Sequence, residues 1–395
     1  MHYWMAFIAA YAVAQNFGCA ALQVWLLQRR KPWPKWLGAA SILWALLMSS
    51  LFLLEVFEPD EWKAFMREWL YLPMAVEMTW NILLLQILFP VLILAVLIVR
   101  LVDRNPQPQS ISPGGMSRRK FLYLLSYGAA PATAISMGVH GSLTRDDLQV
   151  RQFEIPIANL PPELEGFTIA HVSDLHSGLF VGPDRLKRIS DATNDLKADL
   201  IAITGDIINR DMDEFPAALA AIQRMESRHG MYLCEGNHDV MPGACLVVAE
   251  CERNGLAMLY NTCRALPFGS GRLVFGGLGW ARYLQMDVHP DAVATLFPPR
   301  QEGDVRILLA HHPNLFDIAQ DSDLVLSGHT HGGQIMFGDN FGLGRLRFKY
   351  CSGLFQHPDC ATKLIVSNGC GDWFPCRIGA PAEIGLVRLM KSPIS

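Results

Sequence analysis

The chain has 395 residues, 51% of them hydrophobic, and a formal net charge of −4. A mean hydropathy of +0.21 is too apolar for an ordinary soluble enzyme, and a pI near 6.3 argues against a nucleic-acid partner held by bulk electrostatics. There is no polybasic patch, internal repeat or low-complexity tract.

The apolar residues are concentrated before Arg145. Residues 3–27, 36–54, 79–99 and 121–143 contain no Asp, Glu, Lys or Arg. Each run is long enough for a helix to cross a hydrocarbon core, which needs about 20 residues. Arg29, Arg30, Lys31 and Lys35 separate the first two runs, and Arg100, Arg104, Arg118, Arg119 and Lys120 separate the last two. The loop between the second and third is acidic on balance, with Glu55, Glu58, Asp60, Glu61 and Glu68. Basic loops stay cytoplasmic. The expectation is a multi-pass protein of the cell membrane with its C-terminal half on the outer face. The spans carry no internal charge, which argues against a transporter.

This reading gives a transmembrane module over 1–104 with three spans, a Pro- and Gly-rich linker over 105–120, a fourth span or signal-anchor over 121–143, and a catalytic domain over 144–395. Across the boundary between linker and fourth span, Ser117-Arg118-Arg119-Lys120-Phe121-Leu122 resembles a twin-arginine export signal. Residues 144–152 read as a short polar neck. Of nine cysteines, Cys19 lies in a span and eight follow in the soluble half. Cys370 with Cys376, and Cys351 with Cys360, are candidate disulfide pairs, and Cys234 reads as a buried core residue.

The second half shows short apolar runs at 168–172, 200–204, 231–234, 307–310 and 324–326. They read as buried strands, and further strands are expected at 273–279, 364–367 and 384–389. Helical stretches at 183–197 and 214–228 alternate with the early strands, as in layered α/β folds. Each of the first five runs ends in a polar motif: Asp174-Leu175-His176, Gly205-Asp206, Gly236-Asn237-His238-Asp239, His311, and Gly328-His329-Thr330-His331. Ligands at the C-terminal ends of strands converge on one edge of such a sheet. Carboxylate, imidazole and carboxamide together suit Mn²⁺, Fe or Zn²⁺, and the imidazole content is too high for Ca²⁺ or Mg²⁺.

The motif set resembles the calcineurin-like metallophosphoesterases, over roughly 167–389. Residues 306–313, 323–334 and 367–389 look most like the membrane-associated bacterial branch. The resemblance implies two packed mixed β-sheets flanked by helices, an α/β/β/α sandwich, here preceded by an all-α transmembrane module of about four helices. It implies two divalent metal ions, with Asp206 as the bridging carboxylate. Asp174, His176 and His331 would complete the first site, and Asn237, His311 and His329 the second. A bridging hydroxide would then attack a phosphomonoester, phosphodiester or pyrophosphate. His238 is expected to act on the leaving oxygen, with Asp239 orienting it. Asn209, Arg282 and His312 are candidate substrate contacts. The leading reading is a membrane-anchored phosphoesterase, on location alone for an envelope or lipid-linked substrate. The alternatives are a tethered phosphatase or nucleotide phosphodiesterase for soluble substrates, and a non-catalytic membrane sensor on the same fold.

Overall fold

Polar motifs stop the apolar runs, so strand ends and candidate ligands coincide in the folded chain. The computed structural model describes scattered residues between 13 and 21, then 35–57, 71–80, 130–280, 293, 295–338 and 342–392. The chain divides into two compact units, Met1–Leu143 with Phe374–Cys376, and Thr144–Trp373 with Arg377–Ser395.

In the first unit the described helices are α1 (Lys35–Phe57), α2 (Tyr71–Thr79) and α3 (Ala130–Thr144). Trp44 on α1 meets Trp80 edge-on at 5.3 Å, and the Trp80 indole donates to Asn16 Oδ1 at 3.0 Å. On α1 Ala45, Met48 and Ser49 are buried, whereas Ile42, Leu43, Leu46 and Leu47 are exposed. Among the described residues no helix is long and apolar enough to cross a membrane; the side chains of α1 are described only at 39–51 and 53. The spans expected over 3–27 and 79–99 lie almost wholly outside the described residues, as does 121–129 of the fourth. The four-helix module is therefore not seen in the described residues.

The second unit holds two mixed sheets. The first contains β1 (Gln149–Ile157), β2 (Thr168–Val172), β3 (Leu200–Thr204) and β4 (Met231–Cys234), with α4 (Pro183–Asp195), α5 (Phe215–Gln223) and α6 (Leu246–Arg253) between and after them. The second sheet contains β5 (Thr262–Phe268), β6 (Gly271–Gly277), β7 (Asp304–Leu309), β8 (Leu324–Ser327), β9 (Gly353–Gln356) and β10 (Lys363–Val366), with α7 (Leu343–Arg347) between β8 and β9. The last strand, β11 (Glu383–Lys391), returns to the first sheet. The orders are β1-β11-β2-β3-β4 and β5-β6-β7-β8-β10-β9.

Alternation along each strand divides the core into three layers, because successive side chains face opposite sides of a sheet. Leu200 and Ala202 of β3 turn inward onto Phe275, Ile307 and Leu326 of the other sheet. Ile201 and Ile203 turn outward onto Leu186, Ile189, Phe215 and Ile222 of the helices. On the far side Leu308 and Val325 are covered by Leu315, Phe316 and Phe297. These are the two packed mixed sheets that the sequence resemblance implied.

Two expectations are corrected here. Residues 149–152 are not part of a neck, since Gln149–Gln152 pair in parallel with Glu383–Leu386 as the start of β1. The eight cysteines of the soluble half are free thiols, so neither expected disulfide forms. The Cys370 sulfur lies instead 3.2 Å from the Ser173 carbonyl, and the Cys360 sulfur 3.2 Å from the Thr362 hydroxyl.

Candidate metal centre

The loops that leave β2, β3, β4, β7 and β8 meet at one edge of the sandwich. Backbone hydrogen bonds extend the β2–β3 pairing past the strand ends: Asp174 N donates to Gly205 O at 3.0 Å and His176 N to Asp206 O at 2.9 Å. Asp174, His176, Asp206, His329 and His331 all have φ between +45° and +71°. Non-glycine residues seldom adopt this left-handed region, and Asp, Asn and His tolerate it best. The left-handed bend turns each ligand side chain back toward the others.

Three donor groups are close enough to share cations: Asp174, His176 and His331; His176, Asp206 and His238; Asp206, His311 and His329. His331 Nε2 lies 3.2 Å from Asp174 Oδ1 and 3.0 Å from His176 Nε2. His311 Nε2 lies 3.2 Å from Asp206 Oδ2 and 3.1 Å from Asn237 Oδ1, and His329 Nδ1 is 2.7 Å from the same amide oxygen. His176 Nε2 is 3.4 Å from Asp206 Oδ2, so Asp206 lies between the Asp174–His176–His331 group and the pair His311 and His329. The structure thus brings together all seven residues expected as ligands.

The electrostatics follow from this crowding. Burial would raise the pKa of Asp206, but His311, His238 and His176 outweigh it and hold the carboxyl well below its usual range. Burial would lower His311, yet the Asp206 carboxylate beside it raises it to about 9. His329 is pushed down to about 2 by burial and by His311 and His312, and His176 falls well below its usual value through burial and His238. His311 Nδ1 donates to the Thr204 carbonyl at 2.7 Å, which leaves Nε2 as the nitrogen facing Asp206 and Asn237. A cation takes the place of a proton at such a nitrogen. Imidazole nitrogens around two carboxylates, each able to give up its proton to a cation, are a donor set that fits divalent metal.

Gly236 makes room for this. A Cβ there would stand 2.2 Å from Asp206 Oδ1. Gly236→Ala should displace the Asp206 side chain and lower the metal content of a folded protein, as measured by elemental mass spectrometry alongside circular dichroism.

His238 Nδ1 is 2.5 Å from the Asn209 carbonyl oxygen. A carbonyl only accepts, so Nδ1 carries the proton and Nε2 is the free ring nitrogen. Asp239 does not orient His238. Its oxygens accept from the backbone N–H groups of Ile207 and Gly236, each at 2.8 Å, so it ties the β3 loop to the β4 loop. Burial and Asp206 raise Asp239 to about 6. Asn209, expected as a substrate contact, is buried and enters the site through its backbone. His312 is buried, with its ring 4.6 Å from that of His329. Arg282 lies outside the described residues. Trp280 is held by an N–H bond of 2.9 Å to Glu235 and stands 5.3 Å from the His329 ring.

Arg377 belongs to the C-terminal run that carries the family resemblance, but the sequence assigned it no role beside the site. It is 1% exposed. Its Nε donates to Asp372 at 2.5 Å, its Nη1 to the Asn368 and Ala380 carbonyls, and its Nη2 lies 3.3 Å from His331 Nδ1. Asp372 also binds Arg185. Burial would raise the Asp372 pKa, but Arg185 and Arg377 hold it well below the usual carboxylate range. Removing one partner of a buried ion pair costs about 3–5 kcal/mol. Arg377→Met should lower unfolding stability by that amount in a denaturant titration.

Residues 167–333 match the calcineurin-like phosphoesterase family. The chain is 30% identical over 247 residues to an uncharacterized metallophosphoesterase of Helicobacter pylori, covering 61% of this chain and 64% of that one. It is 30% identical over 310 residues to the Danio rerio transmembrane protein with metallophosphoesterase domain, covering 74% of this chain and 68% of the relative. It is 25% identical over 292 residues to the UDP-2,3-diacylglucosamine pyrophosphatase LpxG of Chlamydia trachomatis, covering 60% of this chain and 88% of the relative. The chain therefore spans less than two thirds of the length of the Helicobacter relative. With the two mixed sheets and the clustered Asp, Asn and His donors at their common edge, these matches establish that the chain belongs to the calcineurin-like metallophosphoesterase family.

Proposed function

We propose that this chain is a membrane-anchored, dinuclear-metal phosphoesterase that cleaves a phosphomonoester, phosphodiester or pyrophosphate bond. The observation that carries the reading is the position of Asp206, whose Oδ2 lies 3.4 Å from His176 and 3.2 Å from His311, one residue from each expected site. Two divalent ions, when bound, supply a nucleophile at neutral pH and offset charge on the phosphoryl oxygens. Asp174, His176 and His331 would hold one with Asp206, and Asn237, His311 and His329 the other. His238 keeps its Nδ1 proton on the Asn209 carbonyl, and with a second proton on Nε2 it would protonate the leaving oxygen or hold a phosphoryl oxygen. No expected ligand is missing, which disfavours a non-catalytic sensor.

The exposed apolar face of α1, with Ile42, Leu43, Leu46 and Leu47, supports a membrane helix over 36–54. Uncharged runs at 3–27, 79–99 and 121–143, and the basic loops beside them, support three further crossings and a catalytic domain on the outer face of a bacterial inner membrane. The Danio relative is a transmembrane protein by name, and the Chlamydia relative is named as a pyrophosphatase of UDP-2,3-diacylglucosamine, an acylated substrate. Both favour an envelope or lipid-linked substrate over a soluble one.

The full chain in lipid vesicles, stripped of metal and reloaded with Mn²⁺, tests the proposal. The assay compares a generic phosphodiester, a generic phosphomonoester and a lipid-linked pyrophosphate. Metal-dependent turnover is expected, fastest on the lipid-linked substrate. Faster turnover of the soluble esters would favour the tethered enzyme. A folded, metal-loaded protein inert toward all three would defeat the catalytic reading.

A further inference from the structure

Resting on the two-metal reading, we infer that His171, Thr204 and Ser173 form a buried hydrogen-bond chain that fixes the Asp174 carboxylate, occupying one oxygen and leaving the other for a divalent cation. Neither the metal-ligand motifs nor the catalytic reading assigns these three residues a role.

All four residues are fully buried. His171 Nε2 lies 2.8 Å from Thr204 Oγ1. Thr204 Oγ1 donates to Ser173 Oγ at 2.7 Å, and Ser173 Oγ donates to Asp174 Oδ2 at 2.5 Å. Proton count gives the chain a single direction. An ionised carboxylate only accepts, so the Ser173 hydroxyl spends its one hydrogen on Asp174. Ser173 then accepts from Thr204, and Thr204 accepts from His171. His171 must therefore carry its proton on Nε2. Nothing competes for it, since Nδ1 is buried with no hydrogen-bond partner among the described residues. Burial lowers the His171 pKa to about 4 against the pull of Asp174, so the ring is neutral at working pH.

Space is kept for the chain. A Cβ at Gly328 would fall 1.9 Å from Ser173 Oγ and 2.1 Å from Asp174 Oδ2. That contact explains why the motif carrying His329 and His331 begins with glycine. The backbone N–H of His329 adds a donor to the carboxylate, 3.0 Å from Oδ1 and 3.2 Å from Oδ2. Asp174 Oδ1 still faces His331 Nε2 at 3.2 Å and His176 Nε2 at 3.9 Å. Successive hydrogen bonds in a dry interior polarise one another, and partners that orient a ligand are worth about 10–100-fold in metal affinity. His171, Thr204 and Ser173 are thus positioning residues for one of the two sites.

The test uses the full chain, solubilised, stripped of metal and titrated with Mn²⁺ by calorimetry, with bound metal counted by mass spectrometry. The unaltered protein should bind two ions. Thr204→Val is near-isosteric but lacks the hydroxyl, and should weaken one site by about 10–100-fold while sparing the other. Ser173→Ala should weaken the same site. Thr204→Ser restores the hydroxyl and should restore the affinity. Parent affinity at both sites in Thr204→Val overturns the inference, and so does an equal loss in Thr204→Ser, which would make the effect one of packing. Should Ser173→Ala fail to fold, the Thr204 pair still decides. If the unaltered protein binds no Mn²⁺, the two-metal reading itself fails, a result separable from failure of the chain alone.

Discussion

Asp206→Asn should reduce metal-dependent kcat/KM by about 10³-fold or more, since each ion contributes several kcal/mol of charge stabilisation. The exchange changes one atom and one charge. Asp206 Oδ1 accepts from the His238 backbone N–H at 2.8 Å, while Oδ2 faces His176 and His311 at 3.4 and 3.2 Å. A carboxamide can satisfy the first contact, but its NH₂ would then be turned toward the imidazole nitrogens and any cation they hold. The fold should survive, because the β2–β3 loop contact uses the Asp206 carbonyl and not its side chain. Metal content and turnover, measured together, check this. Two bound ions with undiminished turnover would remove Asp206 from between the sites.

His238→Ala should lower kcat by about 10²–10⁴-fold, the range of a positioned proton donor, with metal content unchanged. The ring stands edge-on to His176, with centroids 4.5 Å apart, and is partly open to solvent. Dependence on the leaving group identifies the role. An alkoxide needs a proton as it departs and a nitrophenolate does not, so the loss should be larger for an alkyl ester than for a nitrophenyl ester. His238 also lies close enough to His176 and Asp206 to ligate. Loss of one ion in His238→Ala, with equal effects on both esters, would make it a ligand and defeat the donor role.

Strands buried on both faces could be read from the sequence. The bounds of β2, β3 and β4 coincide with apolar runs because a polar ligand ends each one. The three strands missed, β1, β5 and β9, all lie at sheet edges. An edge strand faces solvent, so it needs no continuous apolar run. In β1 only Phe153, Ile155 and Ile157 are buried. The ligand set was legible because five strand ends carry it. The roles filled by backbone were not: the Asn209 carbonyl that holds His238, and the N–H groups that occupy Asp239, leave no mark in residue type. Arg377 was visible as a residue, but its approach to His331 depends on the return of the chain after Asp372.

Five of the ligand residues hold left-handed backbone, and that has a consequence for the protein's history under mutation. Such conformations persist only where the surroundings over-determine them. Here the sheets impose them so that side chains of like character can meet. A glycine at His329, where φ is +71°, would adopt the same backbone with less strain while removing a donor. Substitutions that relax these positions are the ones that disarm the site. Selection for robustness and selection for turnover therefore pull against each other within the same few residues.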